Sequence, residues 1–257
     1  DAIKSIHFSV RYKEVWVLDA DLSGCFDNIN HNYLLDKLNT YPELRRVIKT
    51  WLKSGYMDGN VFNRTDQGTP QGGVLSPLLA NIALHGMERH IESRMYDIAK
   101  LEKTGQLGLF GNTESIDYDQ SKAYGKVRET PKLIRYADDF VIIFDNKEVI
   151  EKSKTEIIKW LEQVGLELKD AKTSIRHSSE GFDFLGFNIR QYRSSLNDKG
   201  FKAIIQPSKK SIKRHIKNLS QARKRLTHAP QSAVIAALNP MIRGWSNYFR
   251  NSSARKV

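Results

Sequence analysis

The stretch Lys132-Leu133-Ile134-Arg135-Tyr136-Ala137-Asp138-Asp139-Phe140-Val141-Ile142-Ile143-Phe144 decides the fold. Two apolar, β-prone runs flank a short polar centre, which predicts a β-hairpin with Ala137, Asp138 and Asp139 at its turn. Adjacent carboxylates repel each other, so a buried pair needs a cation. Oxygen ligands suit Mg²⁺, whose other coordination positions take water and phosphate oxygens. The alternative is an Asp-Asp turn that faces solvent.

A second acidic segment precedes the hairpin. Val15-Trp16-Val17-Leu18-Asp19-Ala20-Asp21 predicts a strand that ends in carboxylates and that can lie beside the hairpin in one sheet. Asp21, Asp138 and Asp139 would then come together on neighbouring strands. Such a set can hold two Mg²⁺ ions about 4 Å apart, which clamp the attacking and leaving oxygens of a phosphoryl transfer. The two segments together predict a phosphoryl-transfer site.

The charge of the chain is concentrated at its C-terminal end. The 41 Lys and Arg against 29 Asp and Glu leave a net charge of +12 over 257 residues. Residues 190–257 hold 16 Lys and Arg and a single acid, Asp198, so this part carries +15 and the first 189 residues sum to −3. This asymmetry is typical of a nucleic-acid binder. A merely solvated basic face, the alternative, usually has interspersed acids.

Several classes of protein are excluded by composition. The longest apolar run is shorter than the ~18 residues of a membrane span, and we expect no signal peptide. The single cysteine, Cys25, excludes an internal disulfide and a cysteine-based zinc site, which fits a reducing compartment. The length allows one large domain or one with an appendage. Because the chain begins Asp1-Ala2-Ile3 without an initiator Met, we expect a fragment.

The hydrophobic pattern predicts the surrounding elements. Residues 1–14 are interpreted as the end of a helix with a connector, 66–73 as a loop and 97–130 as an insertion or long connector. Further strands are predicted at 173–176, 182–190 and 201–206. Helices are predicted at 30–39, 45–53 and 149–164, and only helices from Ser208 onward.

Three helices are predicted in more detail. Ser76-Pro77 indicates a helix start with Ser76 as N-cap and Pro77 as the first helical residue. Asn239-Pro240 indicates the start of the last helix. The predicted apolar stripes are Leu78, Ile82, Met87, Ile91 and Met95 in the first helix, Ile212, Ile216, Leu219 and Leu226 in the basic helix, and Ile242, Trp245 and Phe249 in the last.

Five segments, in order, resemble known motifs. Asp21-Leu22-Ser23-Gly24-Cys25-Phe26-Asp27, Thr69-Pro70-Gln71-Gly72-Gly73-Val74-Leu75-Ser76-Pro77 and Tyr136-Ala137-Asp138-Asp139 resemble the successive palm motifs of reverse transcriptases. Phe182-Asp183-Phe184-Leu185-Gly186-Phe187 is similar to the primer-grip hairpin of that family. Leu238-Asn239-Pro240-Met241-Ile242-Arg243-Gly244-Trp245-Ser246-Asn247-Tyr248-Phe249 resembles the start of the maturase region of group II intron-encoded proteins. The resemblance spans nearly the whole chain apart from the insertion.

The resemblance implies a fold and a function. The expected fold is α+β: a right-hand polymerase palm (antiparallel sheet with packed helices) over 1–206, followed by a basic α-helical thumb and maturase segment over 207–257. The expected function is RNA-directed DNA synthesis with two Mg²⁺ ions, coupled to splicing and retrohoming of a group II intron. The expected partners are intron RNA, an RNA template with a DNA primer or target DNA, and dNTP, without a membrane. The expected location is a bacterial cytoplasm or an organelle, in a ribonucleoprotein.

The resemblance also implies roles for single residues. Asp21, Asp138 and Asp139 would be catalytic metal ligands, with the carbonyl of Leu22 as a further ligand. Phe26 would exclude a ribonucleotide 2′-hydroxyl, its alternative being a core aromatic. Gln71 and Lys172 would contact the nucleotide, although Lys172 can also be read as a solvated lysine. The expected primer-grip residues are Leu185 and Gly186, and the expected RNA-binding residues are Lys209, Lys210, Lys213, Arg214, Lys217, Arg223, Lys224 and Arg225.

Two other functions compete with the polymerase. Only about twenty residues precede Asp21, so most of the fingers region of a reverse transcriptase is expected to be missing, which favours a non-catalytic RNA-binding maturase. The acid triad favours the enzyme, because a binder does not need clustered carboxylates near phosphates. A generic basic α+β binding domain would require five ordered motifs to be coincidence.

Overall fold

The structure is a computed structural model that describes residues 2–58, 61–63, 65, 67–69, 75–104, 130–195, 200–250 and 252. The backbone forms two compact units. We call residues 16–175 the sheet unit, and residues 3–15 with 176–257 the helical unit. The sequence predicts a boundary between palm and thumb near residue 206. That boundary divides the chain by function and not by backbone contacts, and it stays a prediction. In the part of the chain that the structure describes, no helix is both long and apolar enough to cross a membrane.

The sheet unit is built on an antiparallel sheet whose strands include β1 (Trp16–Ser23), β4 (Lys132–Tyr136), β5 (Asp139–Phe144) and β6 (Glu167–Leu168). Their order in the sheet is β4-β5-β1-β6. The predicted hairpin is confirmed, because β4 and β5 pair with Tyr136 opposite Asp139. Phe140 through Ile143 of β5 are all buried, as expected for a central strand covered on both faces.

The helices of the sheet unit pack around this sheet. They are α2 (Cys25–Asn28), α3 (His31–Leu38), α4 (Pro42–Leu52), α5 (Ser76–Leu84), α6 (Met87–Thr104) and α7 (Lys147–Val164). The core joins Leu18, Phe140 and Ile142 of the sheet to Ile157 and Leu161 of α7. A short hairpin, β2 (Tyr56–Asp58) with β3 (Val61–Asn63), follows α4. The predicted helices at 30–39, 45–53 and 149–164 are confirmed as α3, α4 and α7.

The predicted long helix after Ser76 is wrong in three respects. It is two helices, because Gly86 adopts a positive φ of 89° between α5 and α6. Leu75 precedes α5, so Ser76 is its first residue and no side-chain cap is present. Leu78 is 56% exposed and does not belong to the buried stripe. Helix α6 continues to Thr104, so the start of the predicted insertion is helical, and its part from 105 to 129 lies outside the described residues.

The helical unit contains a three-stranded antiparallel sheet and three helices. Its strands are β8 (Phe182–Phe184), β9 (Phe187–Arg193) and β10 (Phe201–Pro207), in the order β10-β9-β8, and its helices are α1 (Ala2–Val10), α8 (Lys209–Arg225) and α9 (Gln231–Phe249). Strand β7 (Ser174–His177) spans the boundary between the units. The predicted strand over 182–190 is therefore a hairpin, with Leu185 and Gly186 between its strands.

Buried hydrogen bonds fix the start of the helical unit on its sheet. The amide of Gln191, in β9, donates to the carbonyls of Val10 and Lys13, both at 2.9 Å. Ser178 Oγ donates to Gln191 Oε1 and accepts from the backbone N–H of Val15. These bonds join residues that are more than 160 positions apart in sequence, Val15 with Ser178 and Val10 with Gln191. Local sequence patterns therefore do not reveal them.

The last helix starts earlier than predicted. Helix α9 begins at Gln231 and contains Pro240 in its interior. Proline removes one helical hydrogen bond, and because Pro240 is exposed, water can bond the carbonyl that loses its donor. Ile242 is 47% exposed and Ile216 of α8 is 59% exposed, so neither lies inward as predicted, whereas Phe249 is buried.

Candidate active site

The strand register brings the predicted acids together. Asp21 of β1 lies directly opposite Asp139 of β5, and opposed residues of antiparallel strands share one face of the sheet. Asp138 stands in the two-residue turn before β5, where Ala137 has a positive φ of 55°. The three carboxylates thus come from β1, from the hairpin turn and from the first residue of β5. Two details of the prediction are wrong: Asp21 does not end its strand, because β1 continues to Ser23, and Asp139 is not in the turn, because it pairs with Asp21 and Tyr136.

Lys172 is part of this site. It lies in a short 3₁₀ helix, Asp170–Lys172, and its Nζ donates to Asp21 Oδ2. The bond to the Asp21 carboxylate raises the pKa of Lys172. The Asp21 side chain is 12% exposed and that of Lys172 is 56% exposed. Lys172 therefore forms an ion pair with a buried acid, although its head group still reaches solvent.

The local electrostatics disfavour three free carboxylates. Burial, and then the charges of Asp21 and Asp138, raise the pKa of Asp139. Burial and the charge of Asp138 also raise the pKa of the Cys25 thiol to about 11. Lys172 offsets only part of this negative charge, so a further cation would stabilise the site.

The donor set fits a hard divalent ion by its chemistry, because all three side chains offer carboxylate oxygens. Within the described ranges, no three His, Cys, Asp or Glu side chains already converge as a finished metal site. Asp21 is held by Lys172 instead, and its backbone carbonyl accepts from Lys169 N at 2.9 Å. Leu22 pairs with Leu168 of β6, and the role of its carbonyl stays a prediction.

Phe26 lies in α2, next to the loop that leads to the second motif. Its ring is partly buried against the core, and its carbonyl accepts from the backbone N–H of Thr69. Gly68 N donates to the Ile29 carbonyl at 2.8 Å. A Cβ on Gly68 would lie 2.4 Å from the Asp27 carbonyl group, so only glycine fits. Gln71 lies outside the described residues, and the roles of Gln71 and Phe26 stay predictions.

The predicted primer-grip turn is tied to both helices that follow it. Leu185 and Gly186 both have positive φ, 49° and 79°. The Leu185 carbonyl accepts from Tyr248 Oη, and the Gly186 carbonyl accepts from Ser208 N, both at 2.8 Å. A Cβ on Gly186 would come within 2.9 Å of Ser211 Oγ. Sequence reasoning missed Tyr248, because it is 63 residues from its partner.

The basic face of α8 is open to solvent. All eight predicted RNA-binding residues are exposed, and among the described residues none forms a salt bridge. Lys209 and Lys210 stand in the first turn of the helix, where the helix dipole disfavours cations and favours anions. Packing explains the opposite face, where His215 stacks on Trp245 with ring centroids 4.3 Å apart. The charges are thus available to phosphates.

Comparison with family models defines the class of protein. Residues 2–189 match the model described as reverse transcriptase (RNA-dependent DNA polymerase), and residues 209–257 match the group II intron maturase-specific domain. The chain belongs to the reverse transcriptase family. The predicted family and the predicted α+β polymerase fold are therefore confirmed. Members of this family generally use divalent metal ions.

The chain is also similar to individual curated proteins. The chain is 26% identical over 294 residues to the group II intron-encoded protein LtrA of Lactococcus lactis subsp. cremoris, covering 91% of this chain and 48% of LtrA. It is 32% identical over 217 residues to protein YkfC of Escherichia coli K12, covering 76% of this chain and 55% of YkfC. The chain spans about half the length of these relatives.

Solved structures with a similar backbone include telomerases. Telomerase of Candida albicans, in complex with a fragment of telomeric RNA, aligns with a TM-score of 0.49 and 14% identity over 97% of this chain and 41% of that chain. Apo telomerase of Candida tropicalis, truncated from its C-terminal domain, aligns with a TM-score of 0.47 and 18% identity over 80% of this chain and 38% of that chain.

Proposed function

We propose that this protein is an RNA-directed DNA polymerase that also binds group II intron RNA to assist splicing and retrohoming. The observation that carries the proposal is the pairing of Asp21 with Asp139, beside Asp138, in a chain of the reverse transcriptase family. The maturase-specific segment at 209–257 supports the second activity. The proposed location is a bacterial cytoplasm or an organelle, in a ribonucleoprotein.

The acids would hold the catalytic ions. Asp21, Asp138 and Asp139, with the Leu22 carbonyl, would bind two Mg²⁺, which supply charge neutralisation at the attacking and leaving oxygens of nucleotidyl transfer. To do so, Asp21 must turn away from Lys172. Lys172, which is paired with Asp21 in this structure, would then be free to face the triphosphate and to hold a proton for the pyrophosphate.

The other predicted residues would align the substrates. Phe26 would fill the space next to the sugar of the incoming dNTP, so that a 2′-hydroxyl is excluded, and Gln71 would contact the same nucleotide. Leu185 and Gly186 would guide the primer end, held in place by Tyr248 and Ser208. The exposed cations of α8 would bind the phosphates of intron RNA and of an RNA template with its DNA primer or target DNA.

A non-catalytic maturase is the second candidate, and the match at 209–257 favours it equally. The two candidates differ in the use of the acids. Ionising Asp139 among buried and charged neighbours works against folding. A protein that only binds RNA has no use for that arrangement, so the acid site favours the enzyme.

Primer extension tests the proposal. The full chain, an oligo(dT) primer on poly(rA), Mg²⁺ and dTTP should give extended DNA. Asp21→Asn and Asp138→Asn should abolish extension while RNA affinity stays within a few-fold, because both residues are remote in sequence from α8. Asp145→Asn, an exposed acid just beyond the other end of β5, is the matched control and should retain activity. A wild-type chain that binds RNA without extending the primer would identify a maturase instead.

A further inference from the structure

Arg135, near the end of β4, is held in place without an ion pair. Its side chain is half-buried, and among the described residues no carboxylate forms a salt bridge with it. Its Nε is buried and has no hydrogen-bond partner in the described part of the chain. An arginine near a surface normally extends its head group into water, and an unmade buried hydrogen bond destabilises the fold. Neither solvation nor an ion pair therefore explains the position of this guanidinium.

The Nη1 group of Arg135 makes two hydrogen bonds. It donates to the carbonyl of Ala137 at 2.9 Å and to Asn81 Oδ1 at 3.0 Å. Asn81 lies on α5, and its Nδ2 donates to the carbonyl of Pro77 at 3.0 Å. A guanidinium only donates, so Asn81 must present its amide oxygen to Arg135, and the bond to Pro77 orients the amide in that way. Arg135 thus joins helix α5 to the turn that carries Asp138.

The bond to Ala137 acts on the backbone directly before Asp138. Ala137 has a φ of 55°, in the left-handed region that favours glycine and that other residues adopt at a cost. The turn therefore depends on contacts from outside it. The carbonyl oxygen of Ala137 and the Cα of Asp138 belong to the same planar peptide unit. When Arg135 holds that oxygen, it fixes the plane from which the Asp138 side chain extends.

Helix α5 is a firm anchor for this link. Its residues Ala83 and Leu84 are buried in the core of the sheet unit. At its C-terminal end, Lys37 of α3 donates to the carbonyls of Ala83 and His85. The helix is therefore fixed by contacts that do not involve the β4–β5 hairpin, so Asn81 can serve as a fixed acceptor for Arg135.

We propose that Arg135 is a positioning residue of the polymerase site. Through Ala137 it sets the direction of the Asp138 carboxylate, and Asn81 holds Arg135 in place. The proposal rests on the proposed function, in which Asp138 holds a metal ion. Both Nη1 hydrogens are used by protein acceptors, so Arg135 acts through the turn and not on the nucleotide. Nucleotidyl transfer depends on the placement of its ions, so a displaced ligand slows the chemical step more than it weakens nucleotide binding.

Single-nucleotide extension by the full chain, on poly(rA) with oligo(dT) and varied dTTP, tests the proposal. Arg135→Gln should lower kcat about 10- to 100-fold and leave KM for dTTP within about twofold, because reacting groups are displaced while the nucleotide contacts remain. Arg135→Lys should restore little of kcat, because an ammonium keeps the charge but not the planar fork.

Arg45→Gln is the matched control. Arg45, on α4 of the same unit, also donates to a backbone carbonyl and to a side chain, those of Leu35 and Asp36. Arg45→Gln removes the same charge and the same kind of bonds away from the acids, so it should keep the wild-type kcat.

Asn81→Ala tests the other end of the link. Asn81 is exposed and alanine is the best helix former, so this variant should fold. It should lower kcat less than Arg135→Gln does, because the bond to Ala137 remains. Combined with Arg135→Gln it should add little, because two substitutions in one hydrogen-bond chain are not additive.

Thermal melting with Mg²⁺ and without nucleic acid gives a readout besides activity. An ion that binds only the folded state raises the melting temperature, so the wild type should melt higher in Mg²⁺ than in EDTA. Arg135→Gln should lose most of this gain, because Asp138 is no longer aimed at the ion, whereas Arg45→Gln should keep it. The melts in EDTA also report whether each variant is folded.

Four results would each overturn the proposal: a folded Arg135→Gln protein with the wild-type kcat, a loss that appears in KM instead of kcat, full recovery by Arg135→Lys, or equal Mg²⁺ gains for the wild type and Arg135→Gln. If Arg135→Gln is unfolded, Asn81→Ala decides, and an unchanged kcat would refute the link. A wild type that does not extend the primer would contradict the proposed function alone. The Mg²⁺ melts would then still decide whether Arg135 positions the acid, so the two proposals can fail separately.

Discussion

At the scale of single residues, Asp139 illustrates the cost of the acid site. Burial and the charges of Asp21 and Asp138 raise the pKa of Asp139 above its unfolded value. The folded protein therefore binds a proton more readily than the unfolded chain, and this contribution to stability is present at low pH and lost as pH rises through the folded pKa. In EDTA, Asp139→Asn should raise the melting temperature at pH 7, with a gain that disappears below about pH 4.

Thermal melts with and without Mg²⁺ check this prediction. Asp145→Asn is the control and should show no gain in EDTA. Mg²⁺ should raise the melting temperature of the wild type more than that of Asp139→Asn, because a ligand that binds only the folded state stabilises it. If Asp139→Asn melted at or below the wild-type temperature at pH 7 in EDTA, the ionised Asp139 carboxylate would not destabilise the folded protein as described.

Phe26 is the second residue whose two interpretations give different results. Phe26→Val removes part of a half-buried ring, which should cost about 1–2 kcal/mol of folding free energy in either case. If Phe26 is the sugar gate, Phe26→Val should also raise the ratio of rNTP to dNTP incorporation, measured as kcat/KM in single-nucleotide extension. A folded variant with the wild-type ratio would show that Phe26 is only a core residue.

At the scale of elements, the turn between β8 and β9 depends on α9. Leu185 occupies the left-handed region at a cost of about 1–2 kcal/mol, and Tyr248 Oη holds its carbonyl. Tyr248→Phe keeps the ring contacts with Phe187 and Phe249 and removes the hydroxyl that makes this bond. We expect a loss of at most about 1 kcal/mol in stability, because water can replace the hydroxyl, together with a slower extension rate from a loosened primer end.

Primer extension at saturating dNTP checks the Tyr248 prediction. Tyr192→Phe, on β9 of the same unit, is the matched control and should leave the rate unchanged. RNA affinity should not change in either variant. An unaltered rate for Tyr248→Phe would show that the bond only stabilises the turn and does not position the primer.

The elements also show what the sequence could predict. Periodicity was sufficient for α3, α7 and the acidic hairpin, because each buries one regular pattern of side chains. It failed at Gly86, where a single positive φ ends a helix although the apolar stripe continues, and at Pro240, which a helix tolerates on an exposed face. The pairing of Asp21 with Asp139 could be expected from strand order. The bonds of Gln191 and Tyr248, and the bond from Arg135 to Asn81, could not, because their partners are distant in sequence.

At the scale of the whole molecule, charge and chemistry occupy different parts of the chain. The acids and their ion pair lie in residues 16–175, whereas residues 190–257 carry +15. A strongly basic segment attracts phosphates over several ångströms, and the acid site needs metal ions before it can accept them. RNA binding and DNA synthesis should therefore respond to different substitutions. A polymerase would show both responses, whereas a maturase would show only the change in RNA binding.

The last prediction tests that separation on α8. Neutralising Lys210, Lys213, Arg214 and Lys217 to Gln should weaken RNA binding and reduce the salt slope by about 0.7 for each phosphate that is no longer neutralised. The fold should survive, because Ile212 and Leu219 are unchanged, glutamine is a good helix former, and removing Lys210 from the first turn relieves an unfavourable dipole interaction.

Salt-dependent RNA binding, long-template extension and a splicing assay measure the outcome. The control changes Lys53, Lys132, Lys154 and Lys202 to Gln, because none of these lysines forms a salt bridge among the described residues. A polymerase should lose processivity on long templates together with RNA affinity, but should still add the first nucleotides to a bound primer, because the acids are intact. A maturase should lose stimulation of splicing and have no extension to lose. If the α8 variant kept the RNA affinity and salt slope of its control, the basic face would be solvated surface, and RNA binding would have to be assigned to other residues.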